Sequence, residues 1–313
     1  MANYLVTGGC GFIGAHLVQR LVSDGHDVLV LDNLSNGSRS SVEHMAKLIV
    51  GDIRNRALVR HCMDQVEGCF HLAAVSSVER SNCDWATTHE INTGGAVGVF
   101  EAASFSRTPV VYTSSAAVYG NNIEQPLSEA AMTKPITAYG ADTLATELHA
   151  RVASLIHSTP ILGFRLFNVY GLGLGDDCLG SDVISLFIRR ILKNQKLVVL
   201  GDGEQTRDFV HVSDCINYLL AGMQNMQFST SVMNVCTGRS TSINKLVQIL
   251  KCMSKHDVEV EYQSTRRGDI YTSVGDPRLA EKNLGVISKK PFYEGLEEIL
   301  VHEARSLFDH NAA

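Results

Sequence analysis

The stretch TGGCGFIG at 7–14 spaces Gly8, Gly11 and Gly14 three residues apart, a pattern suited to a turn that cradles phosphate. A tight turn and a close approach of backbone to pyrophosphate both exclude a Cβ, and a helix N-terminus then offers N–H donors and a positive dipole. Asp32 lies 18 residues beyond Gly14, placed to accept the hydroxyls of an adenosine ribose. An acid there repels a 2′-phosphate, so the pattern favours NAD over NADP. Asp52, in GDI at 51–53, either reaches the adenine or caps the next helix. Farther on, AYGADTLATE at 138–147 puts Tyr139 and Thr143 four positions apart on one helix face. A phenol can move protons, yet with an ordinary pKa of about 10 only about one part in a thousand is ionised at neutral pH.

These residues need elements to position them. Asn3–Thr7 reads as a strand and Phe12–Ser23 as a helix, with Phe12, Ile13, Leu17, Val18 and Leu21 on one stripe. Further strands are expected at 27–31, 69–72, 110–113 and 160–166. Strands alternating with helices imply right-handed βαβ crossovers, hence an α/β fold with a doubly wound parallel sheet of the Rossmann type. HLAA at 71–74 puts Leu72, Ala73 and Ala74 where a cofactor can pass over the sheet's C-terminal edge.

Past residue 168 the rhythm changes. Loops at 171–181 and 201–208 flank a helix at 183–193, and a further helix is expected at 213–223. A strand at Val232–Val235 returns to the sheet, while a helix at 242–254, a strand at 258–262 and a helix at 294–307 complete a smaller α+β lobe. The expected division is a Rossmann domain at 1–168, with 209–236 returning to it, and a substrate lobe at 169–313.

A chain of 313 residues buries a large core, and its formal net charge of -6 argues against a nucleic-acid partner held by phosphate contacts. No apolar run approaches the roughly 20 residues of a membrane span. MANYLVTGG at the start carries no basic, then apolar, leader pattern. The cysteines, at 10, 62, 69, 83, 178, 215, 236 and 252, stand singly without metal-ligand spacing. A cytoplasmic protein without metal or membrane contact is expected.

The motifs TGGCGFIG, DNLSNG (32–37), GDI, HLAA, INTGG (91–95), TSSAAVYG (113–120), AYGADT, RLFNVYG (165–171), GDGEQTRDFVHV (201–212) and RRGDI (266–270) follow one another in order. On them the chain resembles the extended short-chain dehydrogenase/reductase family, in its NAD-dependent sugar-nucleotide epimerase/dehydratase branch, over nearly the whole length. Within that branch the likeness is greatest to UDP-hexose 4-epimerases. The resemblance implies bound NAD, held by Gly8, Gly11, Phe12, Ile13, Gly14, Asp32, Asn33, Asp52, Ile53, Leu72, Ala73, Ala74, Asn92 and Tyr139. It implies a UDP-sugar substrate oxidised at C4 and reduced on its other face, with Tyr139 as acid/base and Ser115 bonding the C4 oxygen. Ser114 is the weaker candidate, because neighbouring strand residues point to opposite faces.

Further positions carry over by the same likeness. Asn168, Arg207 and Arg266 would hold the diphosphate or sugar oxygens, with Arg267 competing for the role of Arg266. Ser273 stands beside the sugar's C2 substituent, where a small residue leaves room for an N-acetyl group. Dehydratases of the branch carry an acidic pair where Ala116 and Ala117 stand here, which disfavours dehydration. A homodimer through paired helices is also implied. Leu144, Leu148, Val152 and Leu155 form an apolar stripe on the helix at 143–156, which sheet packing explains equally well.

One position departs from the family pattern, Tyr-x-x-x-Lys. The lysine, which holds the nicotinamide ribose and depresses the tyrosine pKa, is here Thr143, and Asp142 precedes it. Bringing a phenol to a pKa near 7 takes about 4 kcal/mol, which a neutral hydroxyl does not supply, and a carboxylate nearby would raise the pKa. Two readings follow: an epimerase slowed or altered by Thr143, or a protein that binds NAD and a sugar nucleotide without turnover.

Overall fold

The computed structural model describes residues 1–173, 183–226, 231–265 and 268–311, with side chains as far as 307. The first part of the chain runs β1 (Asn3–Thr7), α1 (Phe12–Ser23), β2 (Asp27–Asp32), β3 (Lys47–Val50), α2 (Arg56–Met63) and β4 (Gly68–His71). It continues through α3 (Val78–Cys83), α4 (Trp85–His89), a π-helical turn at Glu90–Gly95, α5 (Ala96–Ser106), β5 (Val110–Ser115), α6 (Ala138–His157) and β6 (Ile161–Leu166). The second part adds β7 (Asn168–Tyr170), α7 (Val183–Leu192), β8 (Leu197–Leu200), β9 (Thr206–Arg207), β10 (Phe209–His211) and α8 (Val212–Gln224). Then come β11 (Val232–Val235), β12 (Thr241–Ser242), α9 (Ile243–Ser254), β13 (Val260–Gln263), β14 (Thr272–Ser273), α10 (Arg278–Leu284) and α11 (Phe292–Asn311).

Seven strands form one parallel sheet in the order β11-β6-β5-β4-β1-β2-β3. Its strands are apolar on both faces, as a sheet covered by helices on each side requires. Val59, Cys62 and Met63 of α2, Val99 and Phe100 of α5, and Ala150 and Ala153 of α6 bury one face. Leu17, Val18 and Leu21 of α1, with Cys215, Ile216 and Leu219 of α8, bury the other. A separate core of Ile184, Phe187, Ile188, Leu246, Leu250 and Leu296 joins α7, α9 and α11 over the short strands. The order reverses between β1 and β4, the switch point at which open parallel sheets hold ligands.

Thr137 caps α6, its hydroxyl accepting from Gly140 N. The helix then turns Thr143, Thr146, Glu147, Ala150 and Ala153 inward. Leu148, Val152 and Leu155 are 59%, 50% and 62% exposed, so most of the apolar stripe faces away from the sheet, and sheet packing does not account for it. The shortest strands, β7, β9, β10, β12 and β14, have two or three residues each. They were not expected from sequence, because such brief pairings are set by their partners rather than by local periodicity. Among the described residues no helix is long and apolar enough to cross a membrane, and Cys10, Cys62, Cys69, Cys83, Cys215, Cys236 and Cys252 are unpaired.

Candidate active site

The glycine turn joins β1 to α1 at the switch point. Gly8 has φ +71°, and a Cβ there would sit 2.7 Å from the Ala73 backbone beyond β4. A Cβ on Gly14 would overlap the Gly8 carbonyl oxygen. Gly11 caps α1 with no side-chain hydrogen bond, so the first N–H groups of this 12-residue helix remain for an anion. Asp32, buried at the end of β2, accepts from Cys10 N at 2.9 Å and Leu34 N at 2.8 Å, which fixes its carboxylate beside the turn. These residues fit a dinucleotide: the pyrophosphate over the glycines, the ribose toward Asp32.

The neighbouring candidates take varied places. Phe12 and Ile13 are half-buried in the first turn of α1, whereas Ile53 is buried against Gly95. Asp52 does not cap α2, whose cap is Asn55. It grips Arg54 through Nε and Nη2 at 3.0 and 2.9 Å and accepts from Asn33 at 3.2 Å, and the Arg54 hydrogen bonds bring its carboxyl down to about 2. Asn92 is buried and clasps Val75 through both amide atoms, holding the segment after β4. Leu72, Ala73 and Ala74 follow β4, and the two alanines line a cavity of about 30 Å³ with His71, Asn92, Thr113, Tyr139, Thr143 and Thr146.

Tyr139 stands in the first turn of α6, half-buried, and faces Ser115 at the end of β5. Burial pushes its phenol above the ordinary value, while the Ser115 and Thr143 hydroxyls work in the opposite direction. Thr143 has one proton, and Tyr139's own carbonyl holds it at 2.7 Å. Ser115 accepts from Ala117 N at 3.1 Å, capping the turn after β5 and keeping its own proton free. Ser115 is thus the hydroxyl left to donate to the phenol. Asp142 turns away, pairing with His89 Nδ1 at 2.7 Å and receiving Thr93 Oγ1 at 3.4 Å. The carboxylate expected to raise the phenol is therefore engaged on another side of the helix.

Ser114 and Ser115 do point apart, and Ser114 enters a buried network that the motifs did not reveal. Its hydroxyl donates to Glu147 of α6, which takes a two-point grip from Arg165 of β6 at 2.9 and 2.7 Å. Arg165 also reaches Tyr119 Oη at 2.9 Å, and Tyr119 donates to Asn234 at 2.7 Å. Burial opposes the Arg165 charge, but the Glu147 carboxylate outweighs it and the net direction is up. The network locks the helix bearing Tyr139 to the strand bearing Ser115. A charged residue inside the apolar run ILGFRLF was the available signal. His71 was missed in the same way. It pairs with Thr7 Oγ1 at 2.7 Å under the cavity, and burial lowers it to about 4.

Across the sheet edge, β9 and β14 set Arg207 beside Ser273. Arg207 is half-buried, and burial lowers it, with Asp269 acting in the other direction. Its hydrogen bond goes to the Thr206 carbonyl at 2.9 Å, and among the described residues no carboxylate lies within ion-pair distance. A half-buried guanidinium left in this state suits an incoming anion. The adjacent Asp208 takes Thr237 N and Oγ1, Gly238 N and Gly275 N at 2.6–3.2 Å, and so fastens the loops around that arginine. Asn168 is exposed at the start of β7. Arg266 and Arg267 lie outside the described residues.

Comparison with known proteins identifies the family. Residues 4–236 match the NAD dependent epimerase/dehydratase family. A putative UDP-glucose 4-epimerase from Methanocaldococcus jannaschii is 32% identical over 299 residues, 95% of this chain and 96% of that one. Among solved structures, the UDP-glucose 4-epimerase of Thermotoga maritima with UDP-glucose superposes with a TM-score of 0.93 at 30% identity, over 97% of this chain and 99% of that one. The UDP-N-acetylglucosamine 4-epimerase from Methanobrevibacter ruminantium M1, in complex with UDP-N-acetylmuramic acid, gives 0.88 at 32% identity, over 96% and 97%.

Proposed function

The chain belongs to the NAD dependent epimerase/dehydratase family, and we propose that within it the chain is a 4-epimerase of a UDP-hexose or UDP-N-acetylhexosamine. The cofactor is NAD, and the chemistry it supplies when bound is reversible oxidation at the sugar's C4. The glycine turn, Asp32 and the segment Leu72–Ala74 hold it along the switch point. Tyr139, once ionised, takes the C4 hydroxyl proton and later returns it, while the free Ser115 proton bonds the C4 oxygen. Asn168 would hold the diphosphate or a sugar oxygen, and Arg207, with Arg266 or Arg267, the diphosphate. Ala116 and Ala117 offer no acid to expel a hydroxyl, so the reaction ends in epimerisation and not dehydration. Ser273, small and beside Arg207, leaves space for an N-acetyl group.

The observation that carries this reading is the meeting of Ser115 and Tyr139 at the sheet's C-terminal edge, next to a turn only glycine can form. Chromatography of UDP-glucose and UDP-N-acetylglucosamine after incubation with the chain tests it: the C4 epimer is expected from at least one. No epimer from either would overturn it.

A second reading, binding of NAD and a sugar nucleotide without turnover, has its own support. Burial raises the phenol, and no cation is among the groups that act on it. Calorimetric binding by a chain that makes no product would favour that reading. The exposed Leu148, Val152, Leu155 and Ile156 of α6 are proposed to pair with a second copy, and Val152→Glu should then convert the dimer to monomer on a sizing column.

A further inference from the structure

Asn36 and Gly37 form the one Asn-Gly pair in the chain, in the connection from β2 to β3. Asn36 is exposed, and Ser35, Asn36 and Gly37 form a bend outside any helix or strand. Among the described residues no hydrogen bond holds the Asn36 side chain or the Gly37 N–H. The nearby Asn33 is held at both ends, its oxygen accepting from Ser35 N at 3.0 Å and its nitrogen donating to Asp52 at 3.2 Å. A free main-chain nitrogen directly after an exposed carboxamide sets a nucleophile beside an electrophile. Glycine adds no Cβ to obstruct their approach and has the backbone freedom to make it. Gly37 is also seated on the glycine turn. A Cβ there would stand 2.4 Å from the Cys10 carbonyl oxygen and 2.7 Å from the Cys10 Cβ, so the main chain has no slack on that side. Cys10 in turn donates its N–H to Asp32 at 2.9 Å.

We propose that Asn36–Gly37 is a self-modification site whose isoaspartyl product loosens the dinucleotide turn. The Gly37 nitrogen bonds to the Asn36 Cγ, the bond from Cγ to the amide nitrogen breaks, and ammonia leaves with the proton from Gly37. The succinimide ring so formed is opened by solvent water at one of its two carbonyls, giving aspartate or isoaspartate. Nothing is oxidised or reduced. Isoaspartate routes the main chain through Cβ and Cγ and so inserts one carbon ahead of Gly37. With no slack against Cys10, that carbon displaces Gly37 from the turn and disturbs the Cys10 hydrogen bond that fixes the Asp32 carboxylate. The inference rests on the proposed placement of NAD over the glycine turn, with its ribose toward Asp32.

The test ages the folded chain in mildly alkaline buffer, beside a urea-unfolded sample and folded Asn36→Ser. Peptide mass spectrometry and labelling by an isoaspartate methyltransferase locate the product, and anion exchange separates the converted chain by its added negative charge. Folded wild type is expected to convert at Asn36 and to release ammonia. The isoaspartyl form should bind NAD about tenfold to a hundredfold more weakly by calorimetry, the worth of one hydrogen bond to the Asp32 carboxylate. Asn36→Ser, aged alike, should keep both its mass and its NAD affinity. Conversion confined to the unfolded sample would overturn the proposal. So would an isoaspartyl form that binds NAD as tightly as the unconverted chain, a result that leaves the dinucleotide reading standing. An unconverted chain that binds no NAD would overturn both.

Discussion

Thr143 Oγ1 donates to the backbone carbonyl of Tyr139 at 2.7 Å, so the side chain nearest the phenol along α6 is tied to its own helix. Ionisation of Tyr139 then rests on the Ser115 and Thr143 hydroxyls, neither of them charged, against burial, and burial prevails. The folded phenol therefore loses its proton above the ordinary tyrosine range. Turnover through tyrosinate should rise about tenfold per pH unit from neutrality toward about 10, read as initial rate against pH. A flat profile would remove Tyr139 as the limiting base. Tyr139→Phe and Ser115→Ala should each lower the rate by about a hundredfold or more while calorimetry still detects the sugar nucleotide.

Arg207 separates binding from stability. It is half-buried, no carboxylate among the described residues lies within ion-pair distance, and burial lowers its pKa. Arg207→Met should weaken UDP-sugar binding by about tenfold to a hundredfold, the worth of one charge-assisted hydrogen bond or two. The same change removes a half-buried charge, so the denaturation midpoint is expected to stay level or rise. Loss of stability with unchanged affinity would assign Arg207 to the scaffold.

Glu147 and Arg165 behave oppositely. Both are buried, and their two-point contact at 2.9 and 2.7 Å joins α6 to β6. Removing one partner leaves an uncompensated charge, at a cost of about 3–5 kcal/mol. Urea titration should show that loss for Arg165→Met. The double change with Glu147→Leu is expected to recover part of it, because no lone buried charge remains.

Much of the fold was legible in the sequence. The bounds of β1, α1 and β11 are those expected, since their apolar periodicity is strong and glycine, proline or polar residues flank them. The glycine turn was equally plain, because the space around Gly8 and Gly14 admits no side chain. What escaped depends on distant partners. Asp142 turns toward His89, 53 residues away, and nothing local to AYGADT reveals that. The stripe Leu148, Val152 and Leu155 reads alike whether it packs inward or outward until the sheet is placed. Glu147 and Arg165 lie in separate elements, and only the parallel register of β5 and β6 brings Ser114 between them.

His71 gives stability a pH dependence that can be isolated. Burial lowers its folded pKa to about 4, below the roughly 6.5 of an exposed imidazole. The unfolded chain then binds more protons between those values. Stability should be full above about 6.5 and fall by about 3 kcal/mol as pH drops toward about 4. His71→Asn should flatten that part of the curve in urea titrations repeated across pH; an unchanged slope would place the effect in other groups.

The central claim is oxidation and reduction at one carbon of the sugar by a residue set around Tyr139. Its most direct test is incubation of the NAD-loaded chain with UDP-glucose and UDP-N-acetylglucosamine carrying deuterium at C4, followed by mass and NMR analysis of the products. The account predicts a C4 epimer that retains its deuterium, made by wild type, faster by Thr143→Lys, and not by Tyr139→Phe. No epimer from either sugar, or an epimer whose label has washed into solvent, would contradict it.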